Sequence, residues 1–236
     1  MVDKLRGRLA AVLWPACCVL CRGPGSAGRD LCAACERDLR INAFCCRVCA
    51  QPLLRDRAGA GVCGRCLSKP STIATSFVPF RYGYPLDRMI QRLKYGGDLT
   101  IARVLGELFA EHRARAGDTL PEVIIPVPLG ARRYRRRGFN QAFELARYSA
   151  RRCKIPLRAD LVERWRETDE QAGLPRRQRR RNVRGAFRLA QPLPAAHVAI
   201  FDDVVTTGST VNELARLLRR AGATTIEVWA IARAGR

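Results

Sequence analysis

Residues 198 to 210 read VAIFDDVVTTGST, so two adjacent carboxylates, Asp202 and Asp203, follow four apolar residues and precede Thr206, Thr207, Gly208, Ser209 and Thr210. Neighbouring carboxylates can accept hydrogen bonds from a pair of vicinal hydroxyls. A hydroxyl-rich turn around one glycine, placed at the start of a helix, offers a phosphate both side-chain hydroxyls and successive backbone N–H groups. The ligand this combination describes is a ribose 5-phosphate. Two plainer roles use the same residues, a magnesium site on the acid pair or a cap for the following helix. The stretch carries neither GK[ST] nor GxGxxG, so the other common phosphate turns do not compete for it.

A second group of residues has metal chemistry in its spacing. Of 11 cysteines, ten lie between Cys17 and Cys66. Eight form four CxxC pairs: Cys18 and Cys21, Cys32 and Cys35, Cys46 and Cys49, Cys63 and Cys66. Each CxxC turn aims two thiolates at one point, and two turns complete the tetrahedral sulfur shell that zinc prefers. The spacing allows a sequential assignment, with the first two pairs on one ion and the last two on another, and equally a cross-braced one. A disulfide framework would need an oxidising compartment, and a redox CxxC normally stands alone at a strand-to-helix junction. Two structural zinc ions are therefore expected, supplying folding free energy on the order of 10 kcal/mol per site to a module too small to build its own core. Neither histidine, His112 or His197, falls in this region to complete an open catalytic site. Cys17, Cys45 and Cys153 remain as small buried residues.

The elements that must position these groups follow from hydrophobic periodicity. Residues 1–70 form the cysteine-rich module and 71–236 a second unit of alternating strands and helices. Strands are expected at 75–80 (TSFVPF), 122–128 (EVIIPVP), near 160–165, at 185–190 (GAFRLA), over HVAIFDD and at the C-terminal TIEVWAIARA. Amphipathic helices are expected in PLDRMIQRLKY, IARVLGELFAEHRARA, NQAFELARYSARRC and TVNELARLLRRAG, with His197 opening a strand. This alternation predicts an α/β fold, an open parallel sheet with helices on both faces, whose ligands bind beyond the carboxyl ends of the strands. HVAIF is apolar throughout, as a central parallel strand should be, so Asp202 and Asp203 emerge together at that edge.

The chain has 236 residues, 47% of them hydrophobic, enough for one good core and a smaller second unit. Its formal net charge of +22, from 43 lysines and arginines against 21 acids, points to phosphates, nucleic acid or an anionic membrane surface as partners. Most of that charge is arginine, which a GC-rich coding sequence also produces, but composition does not explain its clustering. The segment from Met1 to Cys18 loosely imitates a signal peptide; Trp14 and Pro15 cut its apolar run short, and a short amphipathic helix is expected instead. With no stretch of 18 apolar residues, the protein is expected in the cytoplasm, where its charge would also suit the inner face of the membrane.

VAIFDDVVTTGST resembles the 13-residue phosphoribosyl pyrophosphate (PRPP) motif of type I phosphoribosyltransferases. The leading CxxC pairs, LKYGGD, VPLGARRYRRRGFNQAFELA and the loop ending RRNVRGAF resemble, in order, the competence protein F (ComF) family, an amidophosphoribosyltransferase-like group with zinc-binding cysteines that is linked to natural transformation. The resemblance covers nearly the whole chain. It implies that Asp202 and Asp203 hold the ribose 2- and 3-hydroxyls and that Thr206 to Thr210 wrap the 5-phosphate. It implies a pyrophosphate loop at Val127 to Arg133, with Arg137, Asn140 and Gln141 reaching the same ligand. Residues 168 to 182 would form a mobile lid carrying Gln171, Arg179 and Asn182. Catalysis, if present, would displace pyrophosphate from C1 of the ribose with Mg²⁺ and arginines neutralising the departing charge; the acceptor base or amine has no recognisable pocket in the sequence.

Arginines cluster twice, at 132, 133 and 135 to 137, and again at Arg176, Arg177, Arg179, Arg180, Arg181 and Arg184. Eleven exceed what one pyrophosphate requires. The surplus suggests a track for single-stranded DNA, against the alternative of a solvated basic face, with Tyr134 and Phe139 the evident residues for stacking. Two functions follow: a PRPP-binding protein that supports DNA uptake, alone or with other competence proteins, or a PRPP-dependent transferase acting on a nucleobase or amine.

Overall fold

The computed structural model describes residues 15–54, 61–117, 119–167 and 183–235. In the cysteine-rich module the only regular elements among these are two single-turn helices, α1 (Ala33–Arg37) and α2 (Gly64–Ser68), each beginning just after a cysteine. The remainder alternates as expected: strands β1 (Thr75–Phe77) and β2 (Phe80–Arg81), helices α3 (Leu86–Gly96) and α4 (Leu99–Ala116), β3 (Val123–Pro126), α5 (Ala131–Arg137) and α6 (Gln141–Cys153). After β4 (Val162–Arg164) and β5 (Phe187–Leu189) come β6 (His197–Val205), α7 (Ser209–Arg220) and β7 (Thr225–Arg233). The expected amphipathic helix at the N-terminus lies almost wholly outside the described residues.

Strands β1, β7, β6 and β3 form a parallel sheet in that order, with β2 adding to the far end of β7. The single strand expected at 75–80 is split because Pro79 has no N–H for the ladder; its carbonyl instead accepts the Asn42 N–H at 2.7 Å. The register sets Pro126 beside Phe201 and Phe201 beside Trp229, so the carboxyl ends of β3, β6 and β7 finish at one edge. Residues 160–165 and 185–190 depart from expectation. They supply β4 and β5, which pair antiparallel in a separate two-stranded sheet. Val162 and Phe187 are buried there while Glu163 and Arg188 are exposed, a one-sided pattern that fails in a sheet covered on both faces.

Successive residues of the central strands enter different cores. Ile124, Ala199, Phe201, Trp229 and Ile231 pack with α3, α4 and α6, whereas Val123, Ile125, Val198, Ile200, Val228 and Ala230 pack with α7 and the β4–β5 hairpin. Helices therefore cover both faces, and the runs read as continuously apolar because both sides are dry. The cysteine-rich module joins the first core through Leu31 and Leu39.

Helices α4 and α6 approach closely at Gly106, where a Cβ would sit 2.7 Å from the Leu145 carbonyl oxygen and 2.8 Å from Tyr148 Cβ. Ser149 Oγ donates to the Gly106 carbonyl at 3.0 Å across the same contact. A Gly106→Val substitution should overpack this seam and lower stability by about 1–3 kcal/mol, read as a depressed thermal midpoint. An unchanged midpoint would mean that the helices can separate at little cost.

Candidate functional site

At the carboxyl edge of the sheet lies a cleft of about 500 Å³ lined by Lys94, Arg133, Arg137, Gln141, Arg164 and the whole run from Asp202 to Val211. Asp202 and Asp203 are the sixth and seventh residues of β6, and Asp203 is 3% exposed while Asp202 keeps part of its surface toward the cleft. The chain then turns through Thr206 and Thr207 to Gly208, whose φ of +76° belongs to the left-handed region that glycine tolerates best. Helix α7 starts there without a side-chain cap. Thr207 Oγ1 accepts the Ser209 N–H at 3.3 Å and lies 2.9 Å from Ser209 Oγ. The hydroxyls thus gather around the positive end of a helix dipole, the arrangement that suits a phosphate.

The acid pair is balanced from the helical side. Lys94 Nζ on α3 forms an ion pair with Asp203 Oδ2, Gln141 Nε2 donates to Asp203 Oδ1 at 3.2 Å, and Arg137 Nη1 in turn donates to Gln141 Oε1. Burial works against the charge on Asp203, but Lys94 and the Gln141 hydrogen bond outweigh it and hold its pKa below the usual carboxylate value. At Asp202 the pull of Lys94 is weaker than the opposing effects. Burial, and then the charge on Asp203, push its pKa well up. The pair is therefore split, with one firmly ionised carboxylate and one that readily keeps a proton. In the same lining, burial lowers the Arg137 pKa and brings that of Arg164 down to about 10. Partly desolvated guanidinium groups favour an anionic ligand.

The cysteines resolve into two sequential groups: Cys18, Cys21, Cys32 and Cys35 in one, Cys46, Cys49, Cys63 and Cys66 in the other, with sulfurs in each within 4.8 Å of one another. None is in a disulfide. Cys21 and Cys32 sulfurs are 3.8 Å apart and those of Cys49 and Cys63 3.7 Å, close to the edge of about 3.8 Å that a tetrahedron with Zn–S bonds of about 2.3 Å requires. Burial raises thiol pKa values, yet backbone N–H groups bring Cys18 down to about 6 and Cys46 to about 7, while Cys35 and Cys66 are pushed up by burial and their sulfur neighbours. The four thiols of each group cannot all ionise together unless a cation offsets their charge, and the residues fit two structural zinc ions. The sequential assignment holds and the cross-braced one does not. Cys17, expected to be buried, is exposed; its Sγ is 3.3 Å from the Arg22 carbonyl oxygen, outside both groups.

The profile of the Double zinc ribbon domain matches residues 9–67. The DNA utilization protein YhgH of Escherichia coli O157:H7 is 39% identical over 224 residues, 93% of this chain and 97% of its own. Competence protein F of Haemophilus influenzae is 37% identical over 225 residues, 92% and 96% of the two chains. The chain belongs to the competence protein F family. A purine phosphoribosyltransferase from Pyrococcus horikoshii superposes on 55% of this chain and 80% of its own at 18% identity with a TM-score of 0.31, too distant a likeness to carry an argument about substrate. No helix among the described residues of this competence protein F relative is long and apolar enough to cross a membrane.

The fold brings Asp202, Asp203, Thr206, Thr207, Gly208, Ser209, Thr210, Arg133, Arg137 and Gln141 to the one cleft. Asn140 does not line it. Its Oδ1 caps α6 on the Ala142 N–H and its Nδ2 donates to the Val127 carbonyl, each at 3.0 Å, so it shapes the loop after β3 from behind. Gln171, Arg176, Arg177, Arg179, Arg180, Arg181 and Asn182 lie outside the described residues. The described residues on either side of that segment are tied together, since Trp165 Nε1 donates to the Gly185 carbonyl and the Gly185 N–H to Glu213 Oε1, both at 2.9 Å. Sequence reasoning missed Lys94 and Arg164. Lys94 had a signal in LKYGGD, whose lysine ends an amphipathic helix, but Arg164 had none, because its place depends on the antiparallel hairpin.

The split acid pair has opposite pH consequences. The raised pKa of Asp202 means that its protonated form stabilises the fold, a contribution complete below the usual carboxylate range and lost as pH rises through the raised value. Asp203, with its lowered pKa, contributes stability above that range and loses it as pH falls. Asp202→Asn should therefore raise the thermal midpoint by a few degrees at about pH 8 and change little at about pH 4, while Asp203→Asn should lower it at about pH 8. Thermal melts across this range check both signs; an equal gain for Asp202→Asn at both pH values would contradict the split.

Proposed function

We propose that the cleft binds PRPP or a related ribose phosphate, and that the protein supports DNA uptake from the cytoplasm, at the inner face of the membrane. One observation carries this reading: an acid pair and an uncapped helix N-terminus line the same cleft as Lys94, Arg133, Arg137 and Arg164. Vicinal hydroxyls would be accepted by Asp202 and Asp203, a 5-phosphate by the turn from Thr206 to Thr210, and a pyrophosphate by Arg133 and Arg137, with Arg164 facing them. Magnesium would arrive with the pyrophosphate and offset its charge beside Asp202. The printed names of the relatives, DNA utilization protein and Competence protein F, support the link to DNA. Calorimetric titration with PRPP and Mg²⁺ should give saturable binding in the wild-type protein and none in the Asp202→Asn, Asp203→Asn double variant. Absence of binding in the wild type would reject the reading.

Turnover is the second reading, favoured by Tyr82, Ile90, Gln91 and Tyr95, which line the same cleft as the acid pair and offer apolar and aromatic surface to a planar acceptor. Pyrophosphate release in the presence of nucleobases or amines would establish it.

For a DNA track, Phe139 is partly buried against the core, Tyr134 is exposed on α5 as a stacking residue should be, and two further exposed aromatics lie nearby, Trp165 next to Arg164 and Tyr95, whose ring centroid is 5.8 Å from the Arg137 guanidinium carbon. Arg132, Arg135 and Arg136 are exposed on α5. Replacing these three with alanine should weaken single-stranded DNA binding and reduce its salt slope by about 2, at roughly 0.7 per phosphate. A slope unchanged from wild type would remove α5 from the track.

A further inference from the structure

Arg233, the last residue of β7, is 2% exposed and lies between the second cysteine group and the turn that follows the acid pair. Its Nη1 donates to the carbonyls of Val205 at 2.9 Å and Thr206 at 2.5 Å, and to that of Ala234. Its Nε donates to the Cys49 carbonyl at 3.0 Å and its Nη2 to Gln51 Oε1 at 2.9 Å. One rigid, planar fork therefore grips the entrance of the phosphate turn with Nη1, the backbone of a cysteine ligand with Nε and the Gln51 side chain with Nη2.

The cysteine side of this grip is itself fixed by the sheet. The Arg47 carbonyl accepts the Ser76 N–H at 2.6 Å and the Thr75 hydroxyl at 3.1 Å. The Val48 carbonyl accepts Ser76 Oγ at 2.7 Å, and the Ala50 carbonyl accepts Asn42 Nδ2 at 3.0 Å. Four consecutive carbonyls of the turn begun at Cys46 thus each have a donor, and those of Arg47, Val48 and Cys49 are met from β1 and β7. The first cysteine group is tied elsewhere, through Arg92 to the Val19 carbonyl, Arg103 to Asp30, and Arg29 to Glu111, all on α3 and α4.

We infer that the metal at Cys46, Cys49, Cys63 and Cys66 sets the conformation of the turn from Thr206 to Thr210 through Arg233, and that the first metal site does not. Arg233 is a positioning residue. With a cation joining the four sulfurs, the turn from Cys46 to Cys49 holds its carbonyls where the fork expects them. Without it, nothing joins Cys46 and Cys49 to Cys63 and Cys66, the turn loosens, and the fork loses one end of its span. By linkage, a ligand that orders the phosphate turn retains this zinc more tightly, by the factor by which the zinc improves ligand affinity. The ligand consequence rests on the ribose-phosphate reading; the mechanical coupling does not.

Hydrogen exchange of the backbone amides from Asp202 to Thr210, read by mass spectrometry on the full-length zinc-loaded protein, tests the coupling without any ligand. Cys66→Ser and Arg233→Met should each speed exchange in this segment by about tenfold, and Arg233→Lys should not restore protection because an ammonium cannot span both sides. Cys32→Ser, which removes the first site, should leave the segment as in wild type, and exchange in α4 should not change in the second-site variants. Should Arg233→Met fail to fold, Gln51→Ala removes one bond of the fork and should speed the same amides by about threefold. Wild-type protection in Cys66→Ser, or equal deprotection in Cys32→Ser, would overturn the inference. Titration with PRPP on the same proteins separates the two ideas: no binding to wild type defeats the ribose-phosphate reading and leaves the exchange result to decide the coupling.

Discussion

Two carboxylates on consecutive residues repel each other wherever water is scarce, and the face of the molecule at the carboxyl edge of the sheet is organised around that repulsion. Lys94 ion-pairs with one of them, Gln141 donates to the same one, and Arg137 orients Gln141. Burial and that neighbouring charge drive the other, Asp202, toward keeping its proton. Gathering such a pair with guanidinium groups whose pKa values burial lowers works against stability. Such local disadvantage is characteristic of positions kept for a ligand rather than for stability.

Much of this could be read in the sequence because the decisive elements are local. VAIF had to be a doubly covered strand, and whatever followed it had to appear at the strand's carboxyl end. The four CxxC pairs likewise carried their chemistry in their spacing. What the sequence concealed was long-range. Residues 160–165 and 185–190 looked like further members of the parallel sheet, and only their mutual pairing, with one face dry and one wet, shows them to be a separate hairpin. Arg164 enters the cleft as a result of that pairing, and no local pattern announces it. Asn140 shows the opposite limit, since its place in RGFNQ suggested ligand contact, yet a helix start and a neighbouring carbonyl use its amide first.

The cysteine-rich module is a part of the main structure in the sense that matters for energetics. Leu31 and Leu39 enter the same apolar cluster as Phe109 and Trp229, and Arg29 spans Glu36 and Glu111 across the boundary. Metal binding that organises the ribbon therefore also defines a surface on which α3 and α4 rest.

The alternation of side chains along β6 has a consequence for how this site can change. Asp203 shares its side of the strand with Phe201 and answers to the helical layer, whereas Asp202 shares its side with Ile200, where α7 and the β4–β5 hairpin pack. The two acids are neighbours in sequence but belong to different structural layers. Substitutions in the helices act first on Asp203 and drift in the hairpin acts first on Asp202, and because the charge on Asp203 also raises the pKa of Asp202, a lineage that retunes one acid shifts the other without touching either.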